Sequence, residues 1–312
     1  MTPALSICIV NWNTRTDLRA LLQAVRADAG DAAEVIVVDN GSTDSSVDMV
    51  RREFPWAHLI ANADNRGYAR ATNQAIAAAR GQFLFLLNPD SLVRPGCCAR
   101  LQRFLEEHPN AGAAGPRVLN PDGSLQSSCR RFPTFAAGLF RGTPLGWLLP
   151  GNRFTRAYLM QEWDHTTPRE VEWLSGAALM VRRAAVAQVG PLDERFFMFC
   201  EDVDWAYRAR AAGWERWYVP DAVVVHTIGR ATDQAVLPMV RAFHRSMLRF
   251  YWKHYAASWP LLIRWLPALG IRVREAYILM RAALQWLLSR LRHPVPVETT
   301  AHAAPGAGSR DR

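Results

Sequence analysis

The feature that most restricts the fold of this chain is a series of short, almost unbroken apolar runs that alternate with helical patterns. Strand-like runs occupy residues 5–10, 34–40 and 82–88, with a weaker one at 57–62. "TDLRALLQAVRAD" repeats leucine at helical spacing between the first two, and 67–80 is a second helical pattern. Strands that are apolar at consecutive positions are covered on both faces, as in a parallel sheet between helical layers. We therefore expect an α/β fold with a mostly parallel, doubly wound sheet.

Polar clusters follow the ends of these strands. Asn11 ends the first, Asp39 ends the second, Asn62 to Gly67 follows the third, and Asn88-Pro89-Asp90 ends the fourth. Ligands of doubly wound sheets bind beyond the carboxyl ends of the strands. We therefore expect these four clusters to line one binding cleft.

Two oxygen-bearing side chains, Asn88 and Asp90, flank a proline at a strand end. This spacing allows a carboxylate to reach a hard divalent cation that is held by a diphosphate. The alternative is an ordinary Asx-Pro turn.

A second acidic group, Glu201, Asp202 and Asp204, stands at the start of a helical pattern over 202–213. Adjacent carboxylates favour a raised pKa for one of them, as a general base requires, and Asp202 is the candidate. For Asp204 the alternative is helix capping or a salt bridge to Arg208.

The excess of positive charge lies in the C-terminal part of the chain. The formal net charge is +9, and the segment from Arg241 onward has 12 basic and 3 acidic residues, whereas the first 240 residues have 25 of each. A nucleic-acid reader carries its basic face on the folded domain, so this class is disfavoured. Five cysteines without paired spacing, and an apolar run that begins near residue 5, favour a reducing cytoplasm over secretion.

The composition predicts three parts of the chain. Residues 1–235 form the α/β domain, in which 120–170 is an irregular insertion over the expected site. Residues 236–295 are helical and amphipathic, with Arg274, Arg281, Gln285 and Arg292 on one stripe. Such a helix is typical of a peripheral contact with an anionic membrane surface, and the alternative is packing on the α/β domain or on a second copy. Residues 296–312 form a disordered tail.

The order of these motifs resembles the family 2 glycosyltransferases with the GT-A, Rossmann-like nucleotide-sugar-binding fold, in their rhamnosyltransferase and galactofuranosyltransferase-like branch. The resemblance covers roughly residues 4–255. It is carried by "IVNWN", "VVDNGSTDSS", "NRGYARATNQA", "LLNPDS", "WLSGAALMVRR" and "FFMFCEDVDWAYRARAAGW" in the family's order.

The resemblance implies roles for individual residues. Those on the nucleotide-sugar side are Asn11, Asp39, Asn65, Arg66, Gly67, Asn88 and Asp90. It implies that Asp90 and His226 hold a divalent cation, Mg²⁺ or Mn²⁺, although Asn88 departs from the family's pair of carboxylates. Trp173, Ser175 and Gly176 resemble the acceptor-side loop, and for Trp173 the alternative is core packing. Glu201 either holds the base in place or binds the acceptor.

The implied reaction is inverting transfer of rhamnose or another hexose from a dTDP- or UDP-linked donor, with Asp202 as the catalytic base. The acceptor is a hydroxyl of a glycan or of a lipid-linked sugar in cell-surface polysaccharide synthesis. The enzyme is then expected on the inner face of the cell membrane. A sugar nucleotidyltransferase and a catalytically inactive sugar- or membrane-binding protein are the alternatives. The former should carry a Gly-rich basic loop after the first strand, where this chain has "NWNTRTD".

Overall fold

The computed structural model describes residues 3–230 and 232–292, the side chains of 286–292 excepted. The strands are β1 (Leu5–Asn11), β2 (Ala33–Asn40), β3 (His58–Asn62), β4 (Phe83–Leu87), β5 (Ser91–Val93), β6 (Ala111–Leu119), β7 (Cys129–Arg130), β8 (Arg169–Glu170), β9 (Trp173–Leu174), β10 (Ala178–Arg182) and β11 (Glu215–His226). The helices are α1 (Arg15–Ala29), α2 (Ser46–Glu53), α3 (Tyr68–Ala78), α4 (Cys97–Glu107), α5 (Phe135–Phe140), α6 (Pro144–Leu148), α7 (Arg153–Tyr158), α8 (Arg183–Val189), α9 (Glu201–Ala211), α10 (Val236–His254) and α11 (Trp265–Arg292).

One large sheet has the strand order β3-β2-β1-β4-β10-β6-β11-β5, with β8 paired to β11. Its first four strands are parallel, as predicted, and their register aligns Asn11 with Asp39. The other half is mixed, because β10 runs antiparallel to both β4 and β6. The carboxyl ends of the parallel strands and the loop before β10 therefore meet at one edge.

The core has two apolar layers, one on each face of the sheet. In β1, Ile7 and Ile9 belong to one layer, whereas Cys8 and Val10 belong to the other. Helices α1 and α4 complete the first layer, and α3 and α9 complete the second. This two-sided burial is the reason that the strands read as continuous apolar runs.

The segment 120–170 contains more regular structure than its composition predicted. It includes the short helices α5, α6 and α7 as well as β7, which pairs with β9 in a two-stranded sheet. Thr134, Thr143 and Asn152 each cap one of these helices by accepting a hydrogen bond from a backbone N–H. The helices are therefore set by local capping, a signal that does not need a long apolar period.

The two C-terminal helices pack on each other. Leu248 and Tyr251 of α10 form a small core with Ala268 of α11. Arg274, a member of the predicted basic stripe, turns towards α10: its Nη1 lies 3.2 Å from Nε2 of His244. The membrane contact of that stripe stays a prediction, and the predicted tail 296–312 lies outside the described residues.

Candidate active site

Asp39 is held at the end of β2 by hydrogen bonds from the neighbouring strand. Nδ2 of Asn11 donates to its Oδ2 over 2.8 Å, and the backbone N–H of Ser42 donates to its Oδ1 over 2.8 Å. The amide oxygen of Asn11 accepts from the hydroxyl of Thr14. Both Asn11 and Asp39 are buried, so Asn11 fixes the direction in which the carboxylate points.

The loop 62–67 is built around Asn40, a buried residue that the sequence analysis did not select. Its Nδ2 donates to Oδ1 of Asn65 over 2.9 Å, and its Oδ1 accepts from the backbone N–H of Arg66 over 3.1 Å. The side chain of Arg66 lies at the surface beside Asp64. The backbone of the loop is therefore held by hydrogen bonds, whereas the guanidinium of Arg66 is exposed and donates to Oδ1 of Asp64 over 3.2 Å.

Gly67 allows this loop to touch the segment that precedes α9. Its φ is +86°, and a Cβ at this position would lie 2.6 Å from the carbonyl oxygen of Phe197. The next residue, Tyr68, donates its N–H to the same carbonyl over 2.7 Å. A side chain is excluded here by the backbone of Phe197 as well as by the positive φ.

The segment 175–177 connects the Asn88–Asp90 turn with Asp202. The carbonyl of Ala177 accepts from the backbone N–H of Asn88 over 3.0 Å and from the hydroxyl of Ser91 over 2.9 Å. One residue earlier, the N–H of Gly176 donates to Oδ2 of Asp202 over 2.9 Å. Two motifs more than 100 residues apart in sequence thus share one three-residue segment.

His226 ends β11 beside Asp90. Its Nε2 lies 3.3 Å from Oδ1 of Asp90 without a hydrogen bond, and Thr227 donates its N–H to the carbonyl of Asp90 over 3.0 Å. The other ring nitrogen, Nδ1, donates to Oε1 of Gln126 over 2.7 Å. The amide of Gln126 is oriented in turn by Nε2 donating to Oδ1 of Asn120.

When the His226 ring carries its proton on Nδ1 alone, this arrangement sets two acceptor atoms opposite each other. That tautomer presents a lone pair at Nε2. Oδ1 of Asp90 is buried and has no hydrogen-bond partner among the described residues. A carboxylate oxygen and an imidazole nitrogen that face each other are a donor set that suits a divalent metal ion. No third His, Cys, Asp or Glu joins them within 3–230 and 232–292, so the protein supplies a pair of candidate ligands.

Glu201 and Asp202 have different surroundings at the start of α9. Burial raises the pKa of Asp202, although its carboxylate accepts hydrogen bonds from the N–H groups of Gly176 and Val203, which favour the charged form. Burial, followed by the charge of Asp202, raises the pKa of Glu201 well above its usual range. Oε2 of Glu201 is buried without a partner in the described part of the chain. Burial thus raises the pKa of both carboxyls, and the hydrogen bonds from Gly176 and Val203 favour ionisation at Asp202 rather than at Glu201.

The turn into α9 is strained. Phe199 and Cys200 both have positive φ values, 68° and 64°, which side-chain-bearing residues rarely adopt. Such strain persists only where the surroundings enforce it, and it often marks functional sites. Here it delivers the two carboxylates of α9 to the 175–177 segment.

Trp173 is a core residue in the structure. Its side chain is 5% exposed, its Nε1 donates to the carbonyl of Arg131 over 2.8 Å, and the guanidinium of Arg130 covers the ring at 4.9 Å from its centre. The alternative of core packing therefore accounts for its contacts. Ser175 donates its N–H to the carbonyl of Ser128, which ties this loop to the strand β7 region.

Three residues of this site, Asn40, Tyr68 and Gln126, were not among the residues predicted from the sequence. Asn40 follows Asp39 directly, and a polar residue ending a buried strand was the available signal. Tyr68 donates its hydroxyl to the carbonyl of Gly176 over 3.1 Å. Gln126 lies in the segment predicted to be irregular, where no periodicity points to it.

Comparison with known proteins gives matches of three kinds. A family described as Glycosyl transferase family 2 matches residues 6–170. An N-acetylglucosaminyl-diphospho-decaprenol L-rhamnosyltransferase from Mycobacterium tuberculosis is 32% identical over 296 residues, 91% of this chain and 95% of that protein. A mannosyltransferase from Pyrobaculum calidifontis, solved in complex with GDP-Man and Mn²⁺, has a TM-score of 0.55 at 16% identity and covers 92% of this chain and 81% of that one. The structural likeness confirms the predicted GT-A fold class.

Proposed function

This chain belongs to glycosyl transferase family 2, and we propose that it moves rhamnose or another hexose from a dTDP- or UDP-linked donor to a hydroxyl of a lipid-linked glycan, with inversion and with a divalent cation. The reaction serves cell-surface polysaccharide synthesis. The rhamnosyltransferase similar to this chain acts, by its name, on a diphospho-decaprenol-linked N-acetylglucosamine. That name favours rhamnose as the sugar and a lipid-linked sugar as the acceptor.

One observation carries the proposal. The segment 175–177 is hydrogen bonded on one side to the Asn88–Asp90 turn and on the other side to Asp202. A base and a diphosphate-binding turn that share a segment suit a reaction in which an acceptor is deprotonated while a nucleoside diphosphate leaves.

We assign the donor to the loops at the ends of β1 to β4. Asp39 accepts hydrogen bonds from the nucleotide base or ribose, and Asn11 acts by orienting that carboxylate. Asn65 and Gly67 shape the loop near the diphosphate, where Arg66 offers a planar fork to the phosphate oxygens. These roles agree with the buried network that holds the backbone of this loop.

Asp90 and His226 are our candidates for holding the cation, Mg²⁺ or Mn²⁺, and Asn88 lies beside them. The fit rests on the unpaired Oδ1 of Asp90 and on the bare Nε2 of His226. When bound, such a cation neutralises the negative charge that develops on a departing diphosphate. Because the described part of the chain offers two ligands, we expect the diphosphate and water to complete the coordination.

Asp202 is the proposed catalytic base. It takes the proton of the acceptor hydroxyl, and the oxygen forms a bond to the anomeric carbon from the face opposite the donor diphosphate. The bond between that carbon and the diphosphate oxygen breaks, and its electron pair stays with the nucleoside diphosphate. A positioned base of this kind contributes on the order of 10²–10⁴-fold to the rate.

Glu201 is more suited to holding the base than to binding the acceptor, since its side chain is buried and its protonated form is favoured. Gly176 and Ser175 lie on the acceptor side, next to Asp202. Trp173 supports this side from the core, and the guanidinium of Arg130 covers its ring.

We also propose that the protein works at the inner face of the cell membrane. None of the helices that the structure describes combines the length and the apolar character that crossing a membrane requires. The proposal rests on the lipid-linked acceptor of the similar rhamnosyltransferase and on the C-terminal excess of arginine.

The test is an incubation of the purified protein with Mg²⁺ or Mn²⁺, a panel of dTDP-, UDP- and GDP-linked sugars, and a lipid-linked N-acetylglucosamine acceptor. Acceptor-dependent release of a nucleoside diphosphate and glycosylated acceptor are the measured products. We expect release with a dTDP- or UDP-linked hexose, and a loss of at least 10²-fold in Asp202→Asn with nucleotide binding unchanged.

The matched control is Asp221→Asn, which neutralises an exposed carboxylate on β11 and should keep wild-type turnover. Wild-type turnover in Asp202→Asn would refute the assignment of the base. Absence of transfer from every donor, by a protein that still binds nucleotide and metal, would favour the inactive binding protein.

A further inference from the structure

The exposed apolar side chains of this protein are concentrated on two segments. Of the 22 large apolar residues that are exposed in the described part of the chain, 15 lie within 135–149 and 261–284. Those of the first segment are Phe135, Leu139, Leu145, Trp147, Leu148 and Leu149, and those of the second are Leu261, Leu262, Ile263, Trp265, Leu266, Leu269, Val273, Met280 and Leu284. Single exposed apolar residues are ordinary, whereas such a concentration marks an interaction surface.

The two segments touch each other, so their apolar residues form one surface, which we call the docking face. The ring of Phe135 lies 5.5 Å from that of Trp259, and the ring of Trp147 lies 6.3 Å from that of Tyr277. The guanidinium of Arg281 lies 4.9 Å from the centre of the Trp147 ring. The two contacts of Trp147 join α6 to the middle of α11.

Helix α11 is apolar on two sides. Ala268 packs into the small core with α10, whereas Leu266, Leu269, Val273 and Met280 are exposed. Their spacing of three, four and seven residues places them on one stripe along a helix that is about 42 Å long. One side of the helix thus packs on α10. The other side is contacted by Trp147 of α6 at Tyr277, whereas Leu266, Leu269, Val273 and Met280 stay exposed beside that contact.

The charges around the docking face decide between its possible occupants. Residues 130–160 contain five arginines and no acidic residue, although Arg131 is paired with Glu162 over 2.8 Å. Helix α11 has one acidic residue, Glu275, which is paired with Arg272 over 2.8 Å. A second copy of the chain would bring these arginines against each other without carboxylates to pair with them. A surface that is apolar, rich in Trp and Leu, and ringed by cations fits the headgroup region of an anionic bilayer.

The docking face is continuous with the acceptor side of the proposed active site. The chain runs from Arg130, beside the Trp173 ring, through Phe132 to the exposed Phe135 within six residues. Residues 130–135 therefore connect the docking face along the chain with the acceptor side of the proposed site.

We propose that residues 135–149 and 261–284 together seat the enzyme on an anionic lipid bilayer and present the proposed active site to a lipid-linked acceptor. The part that concerns the acceptor rests on the proposed function, whereas the binding to lipid does not. The insertion 120–170 is thus half of the membrane contact, which the C-terminal helix alone was expected to provide.

The experiment uses the full-length protein and vesicles of phosphatidylcholine with or without phosphatidylglycerol, in a co-sedimentation assay. Two paired variants carry the test: Leu262→Glu with Leu266→Glu on the helix side, and Trp147→Glu with Leu148→Glu on the loop side. All four side chains are exposed, so folding should be kept. The control, Leu92→Glu, changes an exposed apolar residue outside the docking face.

We expect wild-type binding to require phosphatidylglycerol and to weaken as salt rises. Each paired variant should lose about tenfold or more in vesicle affinity, because apolar area no longer enters the interface. The control should bind like the wild type, and all variants should keep transfer to a short, water-soluble acceptor.

Unchanged vesicle binding in both pairs would overturn the proposal. The proposal would also fail if the wild-type protein were a dimer that does not bind vesicles and that the paired variants dissociate. The docking face would then be covered by a second copy of the chain. If only the Leu262→Glu, Leu266→Glu variant bound vesicles more weakly, residues 135–149 would not belong to the docking face. A protein that binds vesicles through this face but transfers no sugar would refute the proposed function and leave the membrane contact standing.

Discussion

Gln126 accepts a hydrogen bond from Nδ1 of His226 over 2.7 Å, and this bond decides which ring nitrogen faces Asp90. Outer partners of this kind fix the tautomer and the ring orientation of metal-binding histidines. Gln126 is therefore a positioning residue for the proposed cation: it orients His226 and has no hydrogen bond to Asp90 or Asp202.

Gln126→Leu should weaken Mn²⁺ binding by about 10–100-fold, because the His226 ring loses the acceptor that holds its proton on Nδ1. The measurement is a titration of bound Mn²⁺ by electron paramagnetic resonance in the presence of UDP or dTDP. Gln102→Leu, on α4, is the control and should bind the ion normally. Equal Mn²⁺ affinity in both variants would contradict the role of Gln126.

A second prediction concerns the neutral side chain at position 88. Asn88→Asp adds a carboxylate beside Asp90 and should raise the affinity for Mn²⁺, because negative charge attracts the ion more than an amide does. Asp90→Ala should abolish nucleotide-dependent Mn²⁺ binding. The same titration measures both, and an Asn88→Asp protein with lower Mn²⁺ affinity than the wild type would place residue 88 outside the ion's reach.

The third prediction is a pH dependence. Burial raises the pKa of Asp202, so the base is protonated at low pH and becomes active only as the pH rises through that raised value. The ascending limb of kcat/KM should therefore lie above the usual aspartate pKa of about 3.9. A limb at or below that value would show that the group titrating is not a buried Asp202.

Glu201→Gln tests how the pair shares its charge. If Glu201 is protonated at neutral pH, the neutral amide resembles it, and the ascending limb should stay in place with most of the turnover kept. An ionised Glu201 would repel Asp202, and its removal would shift the limb to lower pH. The full pH profile of kcat/KM separates the two states.

Sequence patterns predicted this fold well where the cause is local. The predicted strands 5–10 and 34–40 correspond to β1 and β2. They were recognisable because a strand that is buried on both faces is apolar at consecutive positions. The position of antiparallel β10 between β4 and β6 was not predictable, since packing between distant segments sets strand order.

The same limit applies to single side chains. The motif found Asn11, but the structure shows its amide engaged with Asp39. Helical spacing grouped Arg274 with Arg281, but it could not tell which face of α11 packs on α10. A sequence therefore indicates which residues share an edge or a face, whereas the neighbours that occupy their donors and acceptors are set by tertiary contacts.

The last prediction concerns the link between α9 and α10. Nζ of Lys253, the single lysine of the chain, lies 2.6 Å from Oδ1 of Asp204 and 2.8 Å from Oδ2 of Asp193. Asp204 is fully buried and also contacts Nε2 of His254 over 2.7 Å. Lys253→Met should lower the free energy of unfolding by about 2 kcal/mol, less than the 3–5 kcal/mol typical of a buried pair, because its side chain is 24% exposed.

Urea unfolding measures this loss, and Arg51→Met is the control, since both side chains of its ion pair with Asp48 are exposed and such a pair contributes less than about 1 kcal/mol. Burial alone would raise the pKa of Asp204, but hydrogen bonds from His254 and Lys253 outweigh it and lower that pKa. A carboxylate whose pKa is lowered by folding stabilises the fold above its unfolded pKa of about 3.9, and this stabilisation is lost as the pH falls below that value. Stability that stays constant from pH 6 to pH 3 would contradict an ionised Asp204 at the junction of the two helices.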